Sequence, residues 1–185
     1  MANKKCSIKQ ISKWFIEREL NENDEMISCQ KLQKYLFYVK AFGYVFLNES
    51  AFDAQMFMSE NGPEFKEITE LYSSSDFKNV VQSLENETEV KDNLAKIVLE
   101  FVTGCFGKFT EKQLIEFSMA EIEHIGCDKN LKINDEDVSK YFRQEYLSDE
   151  LNNNYGIVRD DIVSGISYIV LKKYEKAFKV LAKWD

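Results

Sequence analysis

The chain has a single histidine, so nucleophilic triads, paired-histidine metal sites and most acid–base schemes would all have to pass through His124. It lies in Glu121-Ile122-Glu123-His124-Ile125-Gly126-Cys127, three residues before a thiol. That spacing fits one helical turn. With Cys6, Cys29 or Cys105 added, His124 and Cys127 would form a zinc-type donor set, but no second ligand pair has the usual spacing. The competing reading is a helix-end imidazole near a buried thiol, and neither a metal nor a cofactor is expected. Glu121 with Glu123, and the run Asp135-Glu136-Asp137, read as exposed or helix-start acids that complement the helix dipole. Asp160 and Asp161 read the same way, as the first turn of a terminal helix. The segment Gly104-Cys105-Phe106-Gly107-Lys108 lacks phosphate-loop spacing and reads as a helix stop.

Charge narrows the partners. Twenty-four Lys and Arg stand against 32 Asp and Glu, a formal charge of -8, so a phosphate backbone is repelled on average and nucleic acid is not expected. Two lysine sets, Lys31, Lys34 and Lys40 and then Lys172, Lys173, Lys176, Lys179 and Lys183, alternate with apolar residues at helical spacing and read as solvated helix faces. The most apolar stretch, Tyr35 to Leu47, is shorter than the roughly 20 residues that cross a bilayer. No membrane association is expected, and the residues after Met1 show no secretory leader. The four cysteines form no CxxC pair and no dense framework, which suits reduced thiols in a cytoplasmic protein. At 185 residues with 25 aromatics, the chain can build one domain around a real core.

The elements that would position these groups are mostly helical. Ser7 with Gln10 has capping-box form before a helix over 8–20, and Ser28 can cap a second one carrying Leu32, Tyr35, Leu36, Val39, Phe42 and Phe46. This second helix is wet only on a narrow stripe marked by Lys31, Gln33, Lys34 and Lys40, and is the expected centre of the fold. From Ser50 to Met58 the period becomes two, with Phe52, Ala54, Met56 and Met58 alternating against polar neighbours, as in a half-buried strand. Asn61-Gly62-Pro63 then reads as a turn with Pro63 in the first turn of a helix. Asp76 can cap a short helix through Leu84. Val90, Leu94, Ile97, Val98, Phe101 and Val102 mark another helix, Thr110 with Gln113 opens a third, and Asn134 or Asp135 caps a fourth through Tyr146. Residues 148–154 read as a linker, before a terminal helix with Ile162, Ile166, Val170, Tyr174, Phe178 and Leu181 on one face. The fold class is mainly α, a single helical domain over 1–147 with a small β element after the second helix, and 148–185 packing on or extending it; α+β is the alternative.

The order Lys31-Leu32-Gln33-Lys34-Tyr35-Leu36-Phe37-Tyr38, then Ala54, then Gly62-Pro63 resembles the Panacea domain, the SocA-like family of antitoxins and phage-associated proteins. Thr110-Glu111-Lys112-Gln113-Leu114 and Ile133 to Phe142 are similar to that family's later segments, so the resemblance covers about residues 8–146. Gln55 stands where a Trp is usual. The resemblance implies an all-helical, non-enzymatic antitoxin that neutralises a protein toxin encoded next door, on a mobile element, by direct contact. It implies a contact surface including Gln33, Lys34, Tyr38, Gln55, Gly62 and Pro63. Among these, a Lys between aromatics can lay its stem on apolar surface and offer its charge outward. Leu32, Leu36 and Tyr38 also read as core, and Gly62 with Pro63 as a plain turn.

Three other functions remain open at this level. One is a proteolysis adaptor handing a partner to an ATP-dependent protease. Another is a small enzyme or metal-binding protein built on His124. The third is a structural module that oligomerises through the terminal helix.

Overall fold

Side-chain caps set where the helices begin. The Ser7 hydroxyl accepts from the Gln10 amide at 3.0 Å while the Gln10 side chain accepts from the Ser7 amide at 2.8 Å, which starts α1 (Ile8–Asn23). At α2 (Cys29–Leu47) the Ser28 hydroxyl accepts from the Lys31 amide without a return bond, and Asn48 closes α2 with a φ of 59°. A hairpin follows, β1 (Met56–Ser59) with β2 (Gly62–Phe65), then α3 (Lys66–Leu71) and α4 (Phe77–Leu84). Asp92 caps α5 (Asn93–Phe106), Thr110 and Gln113 form a second capping box on α6 (Glu111–Ile125), and Asn134 caps α7 (Asp135–Tyr146). A long helix, α8 (Asp160–Leu181), is the last element. The computed structural model describes residues 5–73, 77–126, 131–147 and 160–181, the last with side chains over 163–174. The expected Asp76 cap, Cys127, the 148–154 linker and the side chains of Asp160, Asp161, Ile162, Lys176, Lys179, Phe178, Leu181 and Lys183 lie outside the described residues.

The architecture is mainly α with one small antiparallel sheet, as the sequence implies. Helix α2 runs through the middle and touches α1, α3, α5, α6, α7 and β2. Every side chain from Leu32 to Phe42 is at most 1% exposed. A helix surrounded this way has no solvent face, which corrects the expected wet stripe: Gln33, Lys34 and Lys40 point into the protein, and only Lys31 is partly open. Aromatic rings fill the space around α2. Tyr38 stacks on Phe106 with centroids 3.8 Å apart, and Phe42 meets Phe46, Phe101, Phe106, Phe142 and Tyr146. Each such pair adds about 0.5–1.5 kcal/mol beyond its area. Helix α8 joins the same core through Ile166, Val170 and Tyr174.

Two expectations about the β element change. The alternation of buried and open positions does run from Phe52 to Met58, but only Met56–Ser59 forms a ladder strand; Phe52 makes an isolated bridge with Cys6. Pro63 does not open a helix. It lies in β2 opposite Met58, and the helix starts at Lys66. Proline is tolerated on a strand edge that needs no donor, and the partner on that edge is described below.

One close approach fixes the end of α2. A Cβ on Gly43 would lie 2.9 Å from the Ala51 nitrogen and 3.0 Å from the Glu49 oxygen, both backbone atoms that cannot rotate away. Gly43→Ala is therefore expected to destabilise the protein by about 1–3 kcal/mol, the usual cost of overpacking. Chemical denaturation checks it, and an unchanged midpoint would show that the 49–51 loop is free to move.

Candidate functional site

The small sheet is closed on both edges by groups from elsewhere in the chain. On the β1 side, the Met58 amide donates to the Leu131 carbonyl at 2.9 Å and the Ile133 amide donates to the Met56 carbonyl at 3.0 Å. Gln55 fastens this edge, its amide nitrogen donating to the carbonyls of Met56 and Ile133 at 3.0 Å each. On the β2 side the partners are side chains of α2. The Gln33 side-chain oxygen accepts from the Phe65 amide at 2.8 Å, and its nitrogen donates to the Phe65 carbonyl at 3.1 Å. One amide side chain thus stands in for a missing strand. Lys34 Nζ donates to the Pro63 carbonyl at 3.0 Å. An ammonium can only donate, so an edge residue with a carbonyl and no N–H is what it can satisfy.

The third polar residue of α2 works on the segment before the hairpin. Lys40 Nζ donates to the Ala54 carbonyl, pairs with Asp135 at 2.9 Å and lies 5.9 Å from the Phe52 ring centre. Gln33, Lys34 and Lys40 are therefore a clasp inside the fold, and the expectation that Gln33 and Lys34 present themselves to a partner is corrected. Their reach into carbonyl groups is what allows burial. Gly62 has a φ of 93°, and a Cβ there would sit 2.9 Å from Ser118 Oγ on α6. Gly62 and Pro63 are both buried, so the hairpin tip is seated on α6.

Burial pushes the Lys34 ammonium down to about 8 from its ordinary 10.5, while Glu64, Cys29 and Glu111 pull the other way. Cys29, half-buried at the start of α2, is pushed up by burial and then by Glu64. Cys105 is buried and pushed up to about 11 by burial, so its thiol stays protonated.

A second cluster surrounds Glu121, which is only 2% exposed; the reading of this residue as an exposed helix-dipole acid is corrected. Tyr141 donates to its Oε2 at 2.5 Å, Tyr174 donates to Oε1, and Lys173 Nζ lies 3.2 Å from Oε1. Lys173 also meets Glu145 at 3.1 Å and stands 5.3–5.9 Å from the ring centres of Tyr141, Tyr146 and Tyr174. Burial first, and then neighbours that include Glu121, raises all three tyrosines, which keeps them as donors. Tyr38 is fully buried beside this cluster and is raised by burial and by Glu121. Of its two readings, core is the one observed. The signal for Glu121 was present in the sequence, since it lies on the same helical stripe as Leu114, Phe117 and Ser118.

His124 is exposed and stacks on Tyr141 with ring centres 5.9 Å apart, while its expected neighbour Cys127 lies outside the described residues. Among the described residues no group of three or more His, Cys, Asp and Glu is arranged to hold a metal, and no helix is long and apolar enough to cross a membrane. On the open side of the hairpin, Phe57, Met58, Ser59, Glu64, Lys66 and Thr69 line a groove of about 420 Å³ with Glu70. Lys66 lies 4.2 Å from the Phe57 ring centre. No protein-family profile, curated protein or solved structure matches this chain.

Lys34 gives a pH test of the clasp. The unfolded chain holds the Lys34 proton up to about 10.5 and the folded chain only to about 8, so this residue costs stability below pH 8 and the cost fades as pH rises. The stability gap between the wild type and Lys34→Met is therefore expected to move in the wild type's favour by roughly 1 kcal/mol per pH unit between pH 8 and 10. Paired denaturant titrations read this difference with the tyrosines and thiols common to both proteins. A gap that stays flat would mean that Lys34 is not charged and buried together.

Proposed function

We propose that this chain is an antitoxin-like protein that neutralises a toxin by direct protein contact and performs no chemistry on it. The observation that carries the reading is the convergence of three separated segments. Of the segments on which the family resemblance rests, the α2 stretch Leu32–Tyr38 meets Gly62–Pro63 through Lys34 and the Pro63 carbonyl, while Ala54 is held by Lys40 further along α2 and Gln33 holds Phe65, next in β2. Their shared product is a rigidly held hairpin.

What this hairpin offers a partner is its open face. Phe57 and Glu64 are paired across the strands and partly exposed, and α3 adds Lys66, Thr69 and Glu70 beside them. A half-open aromatic with charges around it is the usual composition of a contact anchor and its rim. The formal charge of -8 favours encounter with a basic partner. The clasp residues position this face and do not form it.

The product of the neighbouring coding sequence, expressed alone, is expected to stop growth, and co-expression of this chain is expected to restore it. Phe57→Asp should lose the rescue by at least tenfold in plating efficiency with little change in melting temperature. Sequestration also leaves the partner's half-life unchanged, whereas an adaptor for proteolysis would shorten it. A harmless neighbour would contradict the reading, and full rescue by Phe57→Asp would remove the hairpin face from it.

A further inference from the structure

Helix α8 is seated on its own chain through contacts that have the chemistry of a ligand in a receptor. The receptor floor is aromatic. Phe106 and Phe117 lie 5.2 and 4.7 Å from the Tyr174 ring centre, Tyr38 lies 6.1 Å away and Phe109 6.5 Å away. Its wall is acidic and aromatic together: Glu121 and Glu145 bind Lys173, and the rings of Tyr141 and Tyr146 flank the ammonium. Carboxylates and tyrosine faces around one ammonium are how proteins recognise a lysine from outside. The wall also contains groups that water can satisfy when the occupant leaves. Glu121 keeps its hydrogen bond from Tyr141, and Glu145 is already exposed.

The occupant is joined to the rest of the domain by one face only. Ile166, Val170 and Tyr174 are buried, but Tyr168 and Ile169 on the other side are 62% and 48% exposed, so α8 covers the core without being covered in turn. Among the described residues Lys173 is the one basic residue in the cage, and its side chain remains 32% exposed at the rim. The cage is one helical turn along α6 from Ser118, where the hairpin tip rests, a rise of about 5 Å.

We propose that the groove under α8 is a second contact site for the protein partner, that it takes a basic amphipathic helix presenting a Lys–Tyr pair, and that α8 is its built-in competitor. This rests on the contact function proposed above. Charge complementarity selects the occupant: two carboxylates and three tyrosines accept a cation at a place in a chain of net charge -8. The chain's own Lys173 and Tyr174 show the register that the occupant needs. Partner binding and α8 docking then exclude each other, so the strength of the α8 contact sets the apparent affinity for the partner.

The test uses the full chain and a labelled peptide of residues 160–181 as the probe. Lys173→Glu places a third carboxylate beside Glu121 and Glu145 and should release α8. The Lys173→Glu chain is expected to bind the wild-type peptide at least tenfold more tightly than the wild-type chain does, and a peptide carrying the same substitution should bind neither. In the unmodified protein, hydrogen exchange should show α8 amides opening while α2 amides stay protected. Failure of the variant chain to fold, absence of peptide binding to it, or α8 exchanging only together with α2 would each overturn the proposal. A wild-type dimer that becomes monomeric on adding peptide would assign the groove to a second copy and overturn the partner assignment. Because the peptide is the chain's own, a negative result leaves the growth test of neutralisation untouched.

Discussion

A helix with neighbours on every side cannot leave an amide or an ammonium without a partner, and α2 carries two lysines and a glutamine in its fully buried stretch. Their partners are backbone carbonyls, one amide, the Thr69 hydroxyl and a carboxylate from segments that follow α2 in the chain. The consequence is directional. Apolar packing alone would let the hairpin slide over the rings of α2, since hydrophobic contact has no preferred angle. Hydrogen bonds to the carbonyls of Ala54, Pro63 and Phe65 fix its register. The sheet has two strands because its outer edges are already satisfied, one by residues 131–133 and the other by Gln33 and Lys34. A peptide therefore finds no free ladder to extend on this hairpin, and its open groups are the side chains of its outer face.

The cluster around Glu121 obeys the same rule with a different outcome. The carboxylate is inside, but its donors come from α7 and α8, so it ties a distant helix to the centre and not a hairpin. Ser118 and Glu121 share one stripe of α6, and both polar centres meet on that helix. The molecule is organised as an aromatic core with two polar seams. The first seam holds the hairpin in place, and the second holds α8.

Much of the fold is legible in the residues. Ser7 with Gln10, Ser28, Thr110 with Gln113 and Asn134 start helices where their side chains can accept from the first free amides, and local chemistry of this kind survives any tertiary context. The alternation after Ser50 gives the inward residues correctly because side-chain direction follows strand geometry whether or not a ladder forms. The direction of Lys34 and Lys40 was not legible. A lysine on a helix reads as solvated until the carbonyls that receive it are known, and those belong to residues 14 and 29 positions further along. Pro63 misleads for a related reason: its fixed φ suits a helix start and a strand edge alike, and the pairing with β1 together with Lys34 places it on a strand. For the site, the resemblance brought Gln33, Lys34, Gly62 and Pro63 together, and the structure joins them, but as supports of a face whose open members, the partly exposed Phe57 and the exposed Lys66, carry no motif.

The hairpin is held at its outer edge by the side chain of Gln33, which acts as the missing strand of the sheet. Residue-resolved hydrogen exchange on Gln33→Leu measures it at one atom. The Phe65 amide is expected to lose its protection by two orders of magnitude or more relative to the wild type, beyond any loss shared with amides in the middle of α2. An amide at Phe65 that slows and quickens only in step with α2 would contradict it.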